Sequence, residues 1–292
     1  MKSFDTQIRP ILEYGVEIWY QPKPIQEIES VQLKFMKSVL GVRQQTPTLA
    51  LYGETGRFPL YLRQQDLVLK YWRRLQKLDK DTILYKIYSE LVDLDLQGYK
   101  TWVTKARTIC LIEDSIEAAH GSHRHISVPG ILLEHGPRYC KFAYDWHIKI
   151  NDSETNPKLR TYKRFKKSFR CEPYLKCIRN KSHLNSLIRF RTSSHNLAIE
   201  TGRHSRPALP IEKRTCKFCP DNPIDDEMHM LLQCSYHNGE RCKLLSVVRR
   251  HIPVILNTHI LFEAIMSHTH PETLCALGRY LYVGFKKREN FI

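Results

Sequence analysis

The spacing C-x2-C-x9-H-x4-C, set by Cys216, Cys219, His229 and Cys234, constrains this chain more than any other feature. Zinc binds tetrahedrally through thiolate and imidazole, and four ligands in this order can close a shell within one short loop. The two-residue gap in Cys216-Lys217-Phe218-Cys219-Pro220 lets a single tight turn present both sulfurs to one ion. Asp225-Asp226-Glu227, ahead of the second pair, reads as a helix start, because carboxylates favour a first helical turn. Ligands five apart lie roughly 140° apart around an ideal α-helix, so His229 and Cys234 must straddle a helix end or a distortion. Four protein ligands leave no open position, so the expected cofactor is a structural Zn2+. The competing reading is a coincidence among thiols that bind nothing.

The charge balance is the second constraint. The net charge is +16, and residues 151–215 hold 16 Lys/Arg against 5 Asp/Glu, where residues 1–150 hold 21 against 17 and residues 216–292 hold 9 against 8. A positive field concentrated beside a small zinc unit points to a polyanion, and nucleic acid is the usual one. An anionic membrane and a merely solvated face are the alternatives. At about 100° per residue, Leu159, Tyr162, Phe165 and Phe169 share one arc, and Arg160, Lys163, Arg164, Lys166, Lys167 and Arg170 share the opposite one. That pattern predicts an amphipathic helix near 158–170 that turns its aromatics inward and holds its cations toward phosphates. Arg189, Arg191, Arg203 and Arg214 continue the expected track toward the zinc unit. Tyr162, Phe165 and Phe190 could stack on bases, although core packing is the stronger expectation for each.

Elsewhere the periodicity is helical. Ile25, Ile28, Val31, Phe35 and Val39 fall on one face of a predicted helix over 25–40, with Pro24 suited to its first turn and Gly41 to its end. Further helices are predicted over 59–78, 82–95 and 131–149, with a loop over 120–130. Strand signals are thin, so the expected class is mainly α: a helical N-terminal part, a basic helical middle and a small CCHC zinc unit near the C-terminus. The segments follow as 1–80, a helical connecting region 81–150, a basic region 151–215, and 216–292 with the zinc unit and C-terminal helices. No apolar run is long enough to span a bilayer, and Asp5, Arg9 and Glu13 interrupt any signal-peptide core. The six cysteines outside the zinc pattern form no regular framework, which fits reduced thiols in an intracellular protein of nucleus or cytoplasm.

Other constellations carry less. His120, His123, His125 and His135 lie in a Gly-containing loop without a thiol or carboxylate at a suggestive spacing. Pro223-Ile224-Asp225-Asp226 lacks the aromatic and the flanking strands of a polymerase turn. No H-x-E precedes the first cysteine pair, which sets aside zinc deaminases. Phosphate-loop and nucleophile-elbow patterns are absent, so no enzyme activity is expected of this chain and no small-molecule substrate.

Arg189-Phe190-Arg191-Thr192-Ser193-Ser194-His195-Asn196-Leu197, then Ile199-Glu200-Thr201-Gly202-Arg203, then Arg214-Thr215-Cys216 through Asp226-Glu227-Met228-His229 to Cys234, resembles the C-terminal region of non-LTR (LINE-type) retrotransposon reverse transcriptases. Residues 8–19 and Tyr52-Gly53-Glu54-Thr55-Gly56-Arg57-Phe58-Pro59-Leu60 resemble the helical, thumb-side stretch that follows the polymerase palm in the same elements. The resemblance implies a region that grips element RNA and target DNA beside a CCHC zinc unit. The catalytic aspartates of the palm and both endonuclease types have no counterpart here, so the family's RNA-directed DNA polymerase activity does not carry over. The expectation is a truncated copy, a partial gene model or a retained fragment. The rival expectation is an intracellular zinc-containing protein-interaction scaffold.

Overall fold

Apolar periods of three and four residues become helices where the sequence predicts them. The computed structural model describes residues 2–120, 136–152 and 156–290. Among these the fold is mainly helical and contains no strand; two isolated antiparallel bridges, Thr55 with Cys171 and Thr215 with Ile224, are formed. Helices Gln26–Leu40, Leu60–Leu75 and Ile83–Leu96 match the predicted spans closely, and Pro137–Asn151 covers the later part of the predicted 131–149. Residues 131–135 of that span, residues 121–130 of the predicted 120–130 loop, and the side chains of His120, His123, His125 and His135 lie outside the described residues, while Gly136 is not helical and His120 ends the helix Trp102–His120.

The chain packs as two compact units, each assembled from two stretches: Met1–Met36 with Phe58–Trp146, and Lys37–Arg57 with His147–Ile292. The four consecutive segments read from the sequence therefore do not correspond one to one with them. In the first unit, Val16, Tyr20, Val68, Leu69, Ala106 and Ile109 form a core that Trp19, Trp72 and Trp102 cover. Phe58 meets Tyr139 edge-on at 4.8 Å, and the buried Arg138 guanidinium joins Gln65, Asp66 and Glu113.

In the second unit, Lys181–Arg191 packs against the last helix, Pro271–Glu289, and so does Asn238–Val248. Leu274, Leu277, Leu281, Gly284 and Arg288 recur every three or four residues and are buried on one face of that last helix. Removing one such leucine typically costs about 2–5 kcal/mol. At Gly284 a Cβ would lie 2.9 Å from Met230 Cε, so glycine lets this helix approach the cysteine–histidine loop closely.

Two predicted elements are corrected. On Gln26–Leu40 the buried positions are Gln32, Met36 and Leu40, while Val31 and Val39 are exposed. The buried stripe is thus turned about one position from the one predicted, because Gln32 is drawn inward to the Phe58 carbonyl at 3.1 Å. The predicted 158–170 helix is not one helix. A 3-10 turn at Pro157–Leu159 and a single α turn at Tyr162–Phe165 are followed by extended backbone at Lys166. Leu159, Tyr162, Phe165 and Phe169 are nevertheless all buried. Aromatic burial set the inward face, and the inward turn of Lys166 ended the helix.

Candidate metal centre

Two local structures bring the ligands together. A tight turn follows Cys216, whose N–H donates to the Pro223 carbonyl at 2.7 Å, and the Asp225 N–H donates to the Arg214 carbonyl at 2.9 Å. The Asp226 carboxylate caps the next helical turn, accepting the His229 N–H at 2.8 Å. His229–Gln233 is π-helical, closed by the Cys234 N–H on the His229 carbonyl at 2.7 Å. An i→i+5 turn returns the fifth residue to nearly the same side. Ligands five apart called for a helix end or a distortion, and here Cys234 stands at the end of a π turn.

The ligand atoms of Cys216, Cys219, His229 and Cys234 lie within 4.8 Å of one another and could hold a metal ion. Cys216 Sγ is 4.0 Å from Cys234 Sγ, and Cys219 Sγ is 3.6 Å from Cys234 Sγ and 3.6 Å from His229 Nε2. A tetrahedral ion with bonds of about 2.3 Å to sulfur and 2.0–2.1 Å to nitrogen sets S···S at about 3.8 Å and S···N at about 3.5 Å. The donors therefore fit one ion. The sulfur separations are far beyond the roughly 2.05 Å of a disulfide. Cys216, His229 and Cys234 are buried and Cys219 is half-buried. The Nδ1 atom of His229 is buried without a hydrogen-bond partner among the described residues.

Residues far along the chain surround these donors. Arg288 Nη2 lies 3.8 Å from both Cys216 Sγ and Cys234 Sγ, and its Nη1 donates to both Asp225 oxygens. Its Nε donates to His237 Nε2 at 3.1 Å. Burial, with the Arg288 charge added, pushes His237 down to about 4. Tyr280 donates to the Met230 carbonyl at 2.6 Å, and Arg241 to the Cys234 carbonyl at 2.8 Å. Sequence reasoning missed this shell. Its one legible signal was Arg288, a cation continuing the apolar stripe of the last helix, which calls for a buried counterion.

The helix-start carboxylates have a second use. Glu227 accepts from Arg160 at 2.9 and 3.0 Å, from Thr161 at 3.0 Å, from Ser193 at 3.3 Å and from His195 Nε2 at 3.0 Å. Burial alone would raise its carboxyl; the His195 hydrogen bond and the Arg160 charge outweigh that and hold it at about 2.

The expected nucleic-acid contacts divide into two groups. Arg191 is buried, bound to Glu54 at 2.8 and 3.1 Å and to Glu172 at 2.9 Å, with its guanidinium 4.6 Å over the Phe165 ring. Lys166 is buried on Glu172 and on the Arg170 carbonyl at 2.8 Å. Arg214 donates to the Leu209 and Ile199 carbonyls from a buried position. Arg160 is held by Glu200 and Glu227, and Arg164 by Glu263 at 3.1 Å. The expectation that Lys166, Arg191 and Arg214 face phosphates is therefore corrected. A buried cation must be paired, and each finds its partner inside. Phe190, Tyr162 and Phe165 are likewise core. Lys167, Arg170 and Arg189 are exposed, and Lys163 and Arg203 half-buried.

Two surface hollows, of about 260 and 270 Å³, share Arg43 and Ser194. Arg189 and Lys286 also line the first, and Lys158 and His204 the second. Ser193, which lines the second, has left-handed backbone at φ 51°. Arg43 was not anticipated; its N–H donates to Ser194 Oγ at 3.0 Å, so the left-handed turn and the cation are placed together. Among the described residues no helix is long and apolar enough to cross a membrane. Compared with protein-family models, curated proteins and solved structures, the chain matches none of them.

Proposed function

We propose that this chain binds the backbone of RNA or DNA, performs no catalysis of its own, and holds a structural Zn2+ at Cys216, Cys219, His229 and Cys234. The carrying observation is the grouping of Arg43, Lys158, Arg189 and Lys286 around the two adjoining hollows. Four cations at a concave surface suit successive phosphates, which give affinity without base information. The charge excess of residues 151–215 supports the same reading. So does the resemblance to the C-terminal region of non-LTR retrotransposon reverse transcriptases, with element RNA and target DNA as the partners. The 189–197 motif meets two others inside the fold, where its Arg191 binds Glu54 and its His195 binds Glu227. On this reading those motif residues build the scaffold, while the surface cations do the binding.

The test is binding of a single-stranded RNA across a salt series. If about five phosphates are neutralised, log K against log salt slopes by roughly −3.5. A slope near zero overturns the reading. The rival, a protein-interaction scaffold, has its own observation: Ile83–Leu96 buries no residue and leaves Ile83, Ile87 and Leu96 exposed. Binding to acidic protein without binding to RNA would favour it.

A further inference from the structure

Away from the cysteine–histidine loop, the ends of two helices bring a second set of metal-binding side chains together. Asn238–Val248 ends in a tight turn in which His251 N–H donates to the Val248 carbonyl at 3.0 Å, and the buried Ile252 anchors the turn. His270 is the N-cap of Pro271–Glu289, with Pro271 in the first turn, and Glu272 lies in that same first turn. These two helices pack on each other, which sets His251 against the start of the last helix. His251 Nε2 then lies 2.8 Å from Glu272 Oε2, and the His251 and His270 rings stack at 3.7 Å. His268 adds a third imidazole, its ring 6.3 Å from His251 and 6.4 Å from His270, with a buried Nε2 that has no hydrogen-bond partner among the described residues.

We propose that His251, His270 and Glu272 form a second metal site, for a divalent transition-metal ion of the zinc class. One ligand atom from each lies within 4.8 Å of the other two. Imidazole nitrogen with carboxylate oxygen is the donor set that suits zinc, nickel or copper in preference to calcium or magnesium. For the His251–Glu272 pair the spacing is near that of two ligands: donors bound at about 2.1 Å stand about 3.0 Å apart at a right-angled pair of bonds and about 3.4 Å apart at a tetrahedral one, and the His270 ring must turn to bring its donor to the same ion. The 2.8 Å separation of His251 and Glu272 needs only a small opening, available to half-exposed side chains. An ion would take the lone pair on His251 Nε2, the proton on that nitrogen moving to Nδ1 in a neutral ring or to solvent from a charged one. Arg250 Nη1 holds the other Glu272 oxygen at 2.8 Å, the outer partner that orients a ligating carboxylate. Its charge, beside the site, opposes a cation and places this site below the cysteine-containing one in affinity. Three protein ligands leave at least one position open. The site could therefore keep an exchangeable water, which the four-ligand site cannot.

The experiment uses the full chain after its first equivalent of Zn2+ has been bound, with Zn2+ as titrant and far-UV circular dichroism as the control for folding. The expected result is a second equivalent, lost in His270→Ala and in Glu272→Gln while the first is kept. Co2+ as a second probe should give d–d bands for this equivalent without the intense near-ultraviolet thiolate band of a cysteine site. No second equivalent in excess Zn2+ would overturn the proposal. So would a second equivalent that survives in the His251→Ala/His270→Ala double variant, since the ion would then sit elsewhere.

Discussion

Arg288 grips Asp225 through a single nitrogen, Nη1, 2.8 Å from one carboxylate oxygen and 2.9 Å from the other. The same guanidinium faces the sulfurs of Cys216 and Cys234 through Nη2. The last helix is thereby tied to the cysteine–histidine loop by a buried charge that balances both a carboxylate and any thiolate formed there.

Arg288→Met is expected to leave Asp225 buried and unpaired, at a cost of about 3–5 kcal/mol. Loss of this outer support should also weaken metal binding about 10–100-fold. Competition with a chelator measures the second effect, and unchanged affinity would show that Arg288 serves packing alone. Cys219→Ser should remove the tightly held equivalent of zinc, measured by elemental analysis after dialysis that strips the weaker site. Chelation should raise hydrogen exchange over residues 214–238 before it does so over residues 60–75, because metal binding is coupled to local folding.

Interior and surface cations should separate in binding experiments. Replacing Arg43, Lys158, Arg189 and Lys286 together by Gln is expected to flatten the salt slope for single-stranded RNA by up to about 2.8 units. The melting temperature should change little. Arg191→Met should do the reverse: it strands Glu54 and destabilises by about 3–5 kcal/mol, while the slope measured on folded protein stays as it was. A flattened slope in Arg191→Met would place that residue at the nucleic acid after all.

Acid stability should depend on Glu54. Burial alone would raise its carboxyl, but the Arg191 and Lys166 charges outweigh this and hold it below its ordinary 4.5. Below pH 4.5 the unfolded chain therefore takes up protons that the folded chain refuses. The stabilisation is complete above about pH 4.5 and is lost as pH falls through the folded value. Urea unfolding from pH 7 to pH 3 should show this decline, and Glu54→Gln should flatten it from a lower starting stability.

Gly56 joins the same network through backbone. Its φ is +62°, and a Cβ there would lie 2.3 Å from the Cys171 nitrogen, beside the Glu172 N–H that donates to the Glu54 carbonyl at 2.9 Å. Gly56→Ala should cost more than the roughly 1–2 kcal/mol of left-handed strain alone, since a backbone atom cannot move aside. Gly98→Ala, where a Cβ would meet nothing within 4 Å, should show the strain without the collision. Equal losses of stability in the two variants would contradict this.

The sequence by itself determined what depends on near neighbours. Helices Gln26–Leu40, Leu60–Leu75 and Ile83–Leu96 follow from apolar period and breakers, the Asp226 cap from its place before His229, and the Cys216–Cys219–His229–Cys234 set from ligand order within one loop. The spacing of His229 and Cys234 called for a helix end or a distortion; that it is a π turn was decided by the structure. Tertiary structure decided everything that turns on a partner. Arg191 and Arg189 look alike in sequence, yet one is buried on Glu54, 137 residues away, and the other faces solvent. Arg288 and Asp225 are 63 residues apart, and His251 and Glu272 are 21 apart across two helix ends. A charge announces its sign locally, but its desolvation and its counterion are set by what the fold packs against it. Period and spacing carry no record of that.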